Sequence, residues 1–387
     1  MLIRYSSDKD GKPVKKAVVY TSEEHCIKIE DIDSDALKVI TQLRNFGFSA
    51  YLVGGAVRDL LLGRTPKDFD IVTDATPSKI KKLFRNSRII GRRFRLVHVF
   101  FGSKIFEVST FRSISTGTVG NNFGTMDEDV QRRDFTLNAL YFDPIKMQII
   151  DYVGGVRDIR KQIIKPVIPL DTIFVEDPVR MLRAVKYAAS TGFKLPNQLK
   201  RKICKSAHLL SPVSPSRLTE ELLKIINSCH AYEIVKLCLE TDLYMYLQPG
   251  ATSFMYEKTG FEKMYLERLK QLDALQQINP EARLGQKLTY IIYDFIEGLT
   301  DWKREISVSA AGELYTKTWT QCRNFVLPMN PQRTELEFAI REVLRKLGVT
   351  MRIPKTAFAN KKKNSRKKGK KVKSETVENV IEKVSAS

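Results

Sequence analysis

The sequence is poor in the residues that staple or metallate small folds. Five cysteines are spread over 387 residues, at Cys26, Cys204, Cys229, Cys238 and Cys322, and none forms a CxxC pair. An odd number without paired spacing excludes a disulfide framework and a zinc ribbon. It reads as reduced, mostly buried thiols in a cytoplasmic protein. The four histidines are scattered and offer no metal cluster. Long apolar runs are also missing: nothing reaches the ~18 residues that mark a membrane span. Residues 1–16 are polar and lack the apolar stretch of a cleavable signal. Acid is scarce beside base, with 44 Asp+Glu against 65 Lys+Arg and a formal net charge of +21. That excess says nothing about fold but favours a polyanionic partner: RNA, DNA or an anionic membrane surface.

The length and a hydrophobic content of 43% suit two or three domains with sizeable cores. Residues 1–32 read as a loosely ordered leader. Residues 34–46 place Ala36, Leu37, Ile40, Leu43 and Phe46 at helical spacing. Residues 50–54 read as a strand, 56–62 as a short helix closed by Gly63, and 69–72 as a second strand. A helix starts at Pro77 and runs to about residue 84. Residues 95–101 and 104–111 form a hairpin around Gly102-Ser103, and 137–142 and 148–152 give two more strands. After Pro178 the pattern turns helical: 179–190 is one helix, and Ser214-Pro215 opens another. The fold expected is therefore α+β. A small mixed α/β head (33–165) precedes an all-α neck (166–230) and body (231–350), with a disordered basic tail (351–387). In that tail nine of the thirteen residues 361–373 are Lys or Arg, and no core can form there. No internal repeat is apparent.

The chemistry is concentrated in a few strings. Gly54-Gly55 is followed thirteen residues later by Asp68-Phe69-Asp70. Residues two apart in a strand share a face, so Asp68 and Asp70 aim at one spot while Phe69 and Ile71 face the core. Two carboxylates so placed suit two hard cations and a phosphate, the arrangement for in-line displacement. The glycines let backbone amides approach phosphate closely. Glu107, mid-strand in Ile-Phe-Glu-Val, is either an edge-strand residue facing water or a third carboxylate beside the pair, as metal ligand or base. Arg132 and Arg133 have the geometry to clamp a triphosphate, and Asp134 and Asn138 to hydrogen-bond a ribose; a salt bridge capping a helix is the bland alternative. Asp177, Arg180 and Arg183 stand three apart and share a helical face. An acceptor beside a cationic donor reads the donor–acceptor edge common to adenine and cytosine and rejects guanine and uracil; a plain i,i+3 ion pair is the other reading. Arg92 and Arg93, flanking Phe94, are compatible with nucleic-acid contact, as are Lys361, Lys362, Lys363, Arg366, Lys367 and Lys368 in the tail. His98, inside an apolar strand, reads as a satisfied core histidine.

Taken together, LVGGAVRDLLLGRTPKDFDIVT (52–73), EVSTFR (107–112), RDFTLNAL (from Arg133, preceded by Arg132), DYVGGVRDI (151–159) and EDPVRMLRA (176–184) resemble the class II branch of the polymerase-β-like nucleotidyltransferases. That branch holds the tRNA CCA-adding enzymes and the bacterial poly(A) polymerases. The segment FRNSRIIGRRFRLVHV (84–99), the flanks at 23–39 and 216–226, and the lysine-rich tail are similar to the poly(A) polymerases. The resemblance implies a head, neck and body arrangement and a cytoplasmic enzyme of RNA processing. It implies two Mg2+ ions on Asp68 and Asp70, with Glu107 as a third carboxylate. It further implies that Gly54, Gly55 and Arg58 serve the triphosphate of ATP, Arg133 and Asp134 contact sugar and phosphates, and Asp177 and Arg180 read the base. The primer implied is an RNA 3′ end and the product a poly(A) tail. CCA addition to tRNA stays open, because the base-reading pair accepts both A and C. A non-catalytic RNA-binding protein on a dead head is the reading from another class; the joint presence of the acidic and base-reading sets argues against it.

Overall fold

The computed structural model describes residues 2–7, 13–91, 95–113, 123–299, 302 and 308–349. The chain divides into two compact units, one of residues 1–213 with 237–243, the other of residues 214–236 with 244 onward. Among the described residues no helix is long and apolar enough to cross a membrane.

The first unit is built on one mixed sheet. Its strands are β1 (Leu2–Ser7), β2 (Pro13–Tyr20), β3 (Ala50–Val53), β4 (Asp70–Thr73), β5 (Ser87–Ile90), β6 (Leu96–Phe101), β7 (Lys104–Thr110), β8 (Leu140–Asp143) and β9 (Gln148–Asp151). Their order across the sheet is β1-β2-β9-β8-β3-β4-β7-β6-β5. β4 and β7 run parallel, and the other pairings are antiparallel. The helices here are α1 (Ser34–Asn45), α2 (Gly55–Leu61), α3 (Pro77–Leu83), α4 (Met126–Gln131), α5 (Gly155–Arg160), α6 (Ile173–Glu176), α7 (Val179–Thr191) and α8 (Asn197–Ser206).

Local chemistry explains most of these boundaries. Asp33 caps α1 by accepting from the Asp35 amide, and the buried Ala36, Val39, Ile40 and Leu43 form its inner stripe. Pro77 sits in the first turn of α3. Gly192, at φ 76°, closes α7.

Three expectations about strands are corrected. The stretch expected as a loosely ordered leader contains β1 and β2. β2 adds to the sheet beside β9, with Val18 opposite Asp151 and Val19 opposite Ile150. The reason lies in alternation: Ala17 and Val19 turn into the core, a period-two pattern hidden by the flanking lysines. β5 falls in a segment read without a strand; it is four residues long, with exposed Arg88 and Ile89. The expected strand over 137–142 is also shorter, because Thr136–Asn138 forms a single 3-10 turn before β8.

The second unit is helical, as expected for the body. Its helices include Pro215–Ile226, Phe261–Ile278, Leu284–Gly298, Val308–Phe325 and Arg333–Lys346. Ser214 stands at the first N-cap with Pro215 behind it. The core is aromatic: Phe295 stacks on Phe325 with centroids 4.2 Å apart, and Phe254 meets Phe261 edge-on at 4.7 Å. The cysteines are all free, but only Cys238 and Cys322 are buried, and Cys26 is exposed; that is fewer buried thiols than expected. The tail beyond residue 350, with its candidate RNA contacts Lys361, Lys362, Lys363, Arg366, Lys367 and Lys368, lies outside the described residues, as do Arg92 and Arg93.

Candidate active site

Neighbouring strand ends converge on Asp70. Val53, the last residue of β3, pairs with Asp70 on β4 and with Tyr141 on β8. The parallel register of Ile71 with Val108 sets Glu107 next to Asp70. Asp68 lies before the strand, not in it. β3 ends opposite Asp70 and turns away at Gly54, so the chain ahead of Asp70 has no ladder partner on that side. The two aspartates are thus not alternate residues of one strand, yet their charges meet. Solvent reaches Asp70, but protein crowds it. Lost hydration, reinforced by Glu107 and Asp68 and opposed by Arg133, pushes its carboxyl up to about 6.

Glu107 is not on an edge, because β7 lies between β4 and β6. His98 stands directly opposite it on β6, with Nε2 3.4 Å from Glu107 Oε1. His98 is therefore half-buried on the Glu107 face, not a core histidine. Among the described residues, no group of three His, Cys, Asp or Glu side chains closes into a metal cage. Asp68, Asp70 and Glu107 form a loose carboxylate cluster. That suits Mg2+, which is held through one or two carboxylates plus substrate phosphates.

The Gly54 turn faces two guanidinium groups. Gly54 has φ 69° and ψ −131°, a region effectively reserved for glycine. A Cβ there would lie 3.8 Å from Arg133 Nη1, and one on Gly55 would lie 3.5 Å from Arg58 Nη2. Arg133 donates through Nη2 to Asp129 Oδ2 at 3.0 Å, through Nε to Tyr141 Oη at 3.1 Å, and through Nη1 to the Asn138 carbonyl at 3.2 Å. Burial alone would depress Arg133; Tyr141 and Asp129 reverse this and hold it above its ordinary range. Arg58 donates to Asn138 Oδ1 at 2.9 Å and to Asp59 at 2.8 Å. Asn138 thus joins the two arginines, through its side chain on one side and its carbonyl on the other. Arg132 instead donates to the Ser113 carbonyl at 2.6 Å, so the expected pair of clamping arginines is split.

The helix expected to carry Asp177, Arg180 and Arg183 on one face starts later. Asp177 is extended, at φ −150° and ψ 100°, and accepts from the Val179 amide at 3.2 Å. A carboxylate capping the first turn belongs outside the helix. Arg180 turns back to Glu176 Oε2 at 2.8 Å and to the Ile173 carbonyl at 3.2 Å. Arg183 pairs through Nε with the buried Asp134 at 2.8 Å, while Nη2 donates to Tyr187 Oη at 3.0 Å. The residues that sequence reasoning passed over are Asp129, Tyr141 and Tyr187. Only Asp129 left a signal, as an acid four residues before Arg133 on a short helix.

Residues 50–165 match the family described as the Poly A polymerase head domain. Residues 192–255 match the one described as the probable RNA and SrmB-binding site of polymerase A. The poly(A) polymerase I of Escherichia coli O6:H1 is 42% identical over 292 residues, which cover 70% of this chain and 63% of that protein. The chain's matched segments belong to the family of poly(A) polymerases and CCA-adding enzymes. The chain spans less than two thirds of the length of the curated relatives it matches. Its likeness to the CCA-adding enzyme of Lactobacillus helveticus is 37% over 225 residues, 56% of this chain and 55% of that one. The solved CCA-adding enzyme of Bacillus stearothermophilus, in complex with CTP, aligns over 82% of this chain and 83% of its own, with TM-score 0.53 and 28% identity. The head match holds Gly54, Asp70, Glu107, Arg133 and Asn138, whereas Asp177, Arg180, Arg183 and Tyr187 fall between the two matched segments.

Proposed function

We propose that the chain transfers AMP from ATP to RNA 3′ ends without a template, extending them as poly(A), with release of pyrophosphate. The observation that carries this reading is the cluster at the end of β3. There the crowded Asp70 carboxyl, with Glu107 and Asp68, lies beside a glycine turn flanked by the guanidinium groups of Arg58 and Arg133. Acid to hold cations beside base to hold phosphates is what phosphoryl transfer needs. Asp68 and Asp70 would hold Mg2+; bound there, the cations neutralise charge on the triphosphate and favour ionisation of the attacking hydroxyl. Glu107 completes the acidic wall.

The Gly54 and Gly55 amides and Arg58 orient the triphosphate. Arg133, held in place by Asp129 and Tyr141, faces the same turn. Asp134 and Asn138 serve the sugar, and Asp177, Arg180 and Arg183 serve the base. Little covalent chemistry is asked of these groups; placement and electrostatics lower the barrier. The excess of basic residues, including those beyond residue 350, supports binding to RNA backbone. The setting is RNA processing and turnover in the cytoplasm.

CCA addition to tRNA is the second reading, favoured by the likeness to CCA-adding enzymes. The two separate on purified protein with Mg2+, a generic RNA and a tRNA lacking its last three residues, each given ATP, CTP or both. Long A tracts on both primers with little use of CTP are expected. Addition of CCA to the tRNA alone, followed by a stop, overturns the poly(A) reading in favour of the second.

A further inference from the structure

Tyr187 stands one turn beyond Arg183 on α7, and three cations meet it: Arg58, Arg183 and Lys186, the last with Nζ 5.9 Å from the ring centroid. Its hydroxyl accepts from Arg183 Nε at 3.2 Å and Nη2 at 3.0 Å. The guanidinium of Arg58, from α2 beside the glycine turn, lies over the ring at 5.4 Å from the centroid. Phe135 meets the ring edge-on at 6.0 Å, next to Asp134, the ion-pair partner of Arg183. Burial, and then the charge of Asp134, push the hydroxyl above its ordinary range against the opposing pull of Arg183. The group therefore stays neutral and keeps its lone pairs for the guanidinium.

We infer that Tyr187 is a positioning residue that couples recognition of the base to placement of the triphosphate. This rests on the reading given above of Arg58 as a triphosphate group and α7 as the base-reading helix. The physical ground is that Arg58 and Arg183, from two different helices, are both held by one side chain. The π face takes Arg58, and the hydroxyl oxygen takes Arg183, which also lies 5.8 Å from the ring centroid. A ring that only filled space would need no hydroxyl, and phenylalanine would serve. Because Arg58 also donates to Asn138, whose carbonyl accepts from Arg133, a shift of the ring reaches both guanidinium groups at the glycine turn. Base contact through Arg183 thus settles where the triphosphate lies.

The test is steady-state kinetics of the full chain with saturating RNA primer, alongside inhibition by inorganic triphosphate, which has no base. Tyr187→Phe removes the hydroxyl and keeps the face for Arg58; Tyr187→Leu removes both. Tyr187→Phe is expected to raise KM for the nucleotide on the order of tenfold, the loss typical of one hydrogen bond to a charged group. Its inhibition constant for triphosphate is expected to stay at the wild-type value. Tyr187→Leu is expected to raise both constants. Wild-type KM in Tyr187→Phe overturns the inference. So does an equal rise in KM and in the triphosphate constant in that variant, which marks general loosening. If Tyr187→Leu does not fold, Tyr187→Phe alone decides. A wild-type chain that adds CCA sinks the poly(A) reading and not this one, because KM is then measured for the nucleotide it accepts.

Discussion

The string Val-Gly-Gly occurs twice in the head, and both copies stand between a strand and a helix. Val53-Gly54-Gly55 leads from β3 into α2, and Val153-Gly154-Gly155 leads from β9 into α5. Gly54 and Gly154 both have positive φ, at 69° and 82°. They differ in ψ, at −131° and 27°, and in what fills the turn. In the second copy Asp151 turns its own carboxylate inward. Oδ1 accepts from the amides of Val153, Gly154 and Gly155 at 3.1, 2.7 and 3.0 Å, and Oδ2 accepts from Val156 at 3.0 Å. A Cβ on Gly155 would collide with the Thr136 carbonyl oxygen. In the first copy Tyr51 occupies the position equivalent to Asp151 and packs against Phe111 and Tyr141. Among the described residues no carboxylate accepts from the amides of that turn, whereas arginines border both turns, Arg58 and Arg133 the first and Arg157 the second. One turn carries its anion within the chain; under the proposed function the other receives the triphosphate. A motif alone does not make a phosphate site: the occupant of its amides decides.

Breaking the open side should have the largest consequence. Asp68→Ala or Asp70→Ala is expected to cut nucleotide incorporation at least ~10³-fold, the scale of losing a principal electrostatic group. The melting temperature should stay within a few degrees of wild type. Retained activity in either variant means that the turn serves something other than phosphoryl transfer. Asp151→Ala strikes the closed side. Four donors lose a buried acceptor, which should cost about 3 kcal/mol of head stability in denaturant unfolding, while the folded fraction keeps its nucleotide KM. Unchanged stability would erase the contrast between the turns.

The matched glycine pair sharpens it. Gly54→Ala forces a side chain into a glycine-only region at a strain of about 1–3 kcal/mol and should raise nucleotide KM about tenfold through Arg133. Gly154→Ala should cost ~1 kcal/mol of stability and leave KM alone. Equal KM effects at both positions would show that the turns are interchangeable.

The smallest effect concerns pH. The Asp70 carboxyl titrates near 6 in the folded chain against an ordinary 3.8. The folded state keeps a proton that the unfolded state releases, so stability falls as pH rises across that window and the penalty is complete above it. Asp70→Asn in metal-free protein should melt higher than wild type above pH 6, with the gain gone below pH 3.8. A gain that is flat with pH would assign the stabilisation to something other than this charge.

Elements with strong period were legible in the sequence. The α1 stripe, the β6–β7 hairpin around Gly102 and the start of the helix after Ser214 follow from local pattern and turn chemistry. What escaped was set by distant partners. β1 and β2 are extended because β9 is there to receive β2, and β5 because β6 is. Asp68 fell outside the strand because β3 ends at Val53. For the candidate site, the acidic residues and arginines could be picked out by type and order, but their orientation could not. Nothing local to Arg180 says that it will turn to Glu176 instead of Asp177. Likewise, Glu107 and His98 face each other only through cross-strand register.

The pairing of β2 with β9 also has a consequence in time. The chain is made from its N-terminus, so β2 leaves the ribosome early and its sheet partner is among the last strands of the head. Between them come the strands and helices that carry the acidic cluster and the open glycine turn. A sheet of such non-local pairings closes slowly and late, whereas the helices of the second unit make their backbone hydrogen bonds within each segment. During synthesis the head must therefore wait, with the β2 edge unpaired, until Asp151 arrives; the residue that fills the closed turn also lies opposite Val18 in the last pairing of the head.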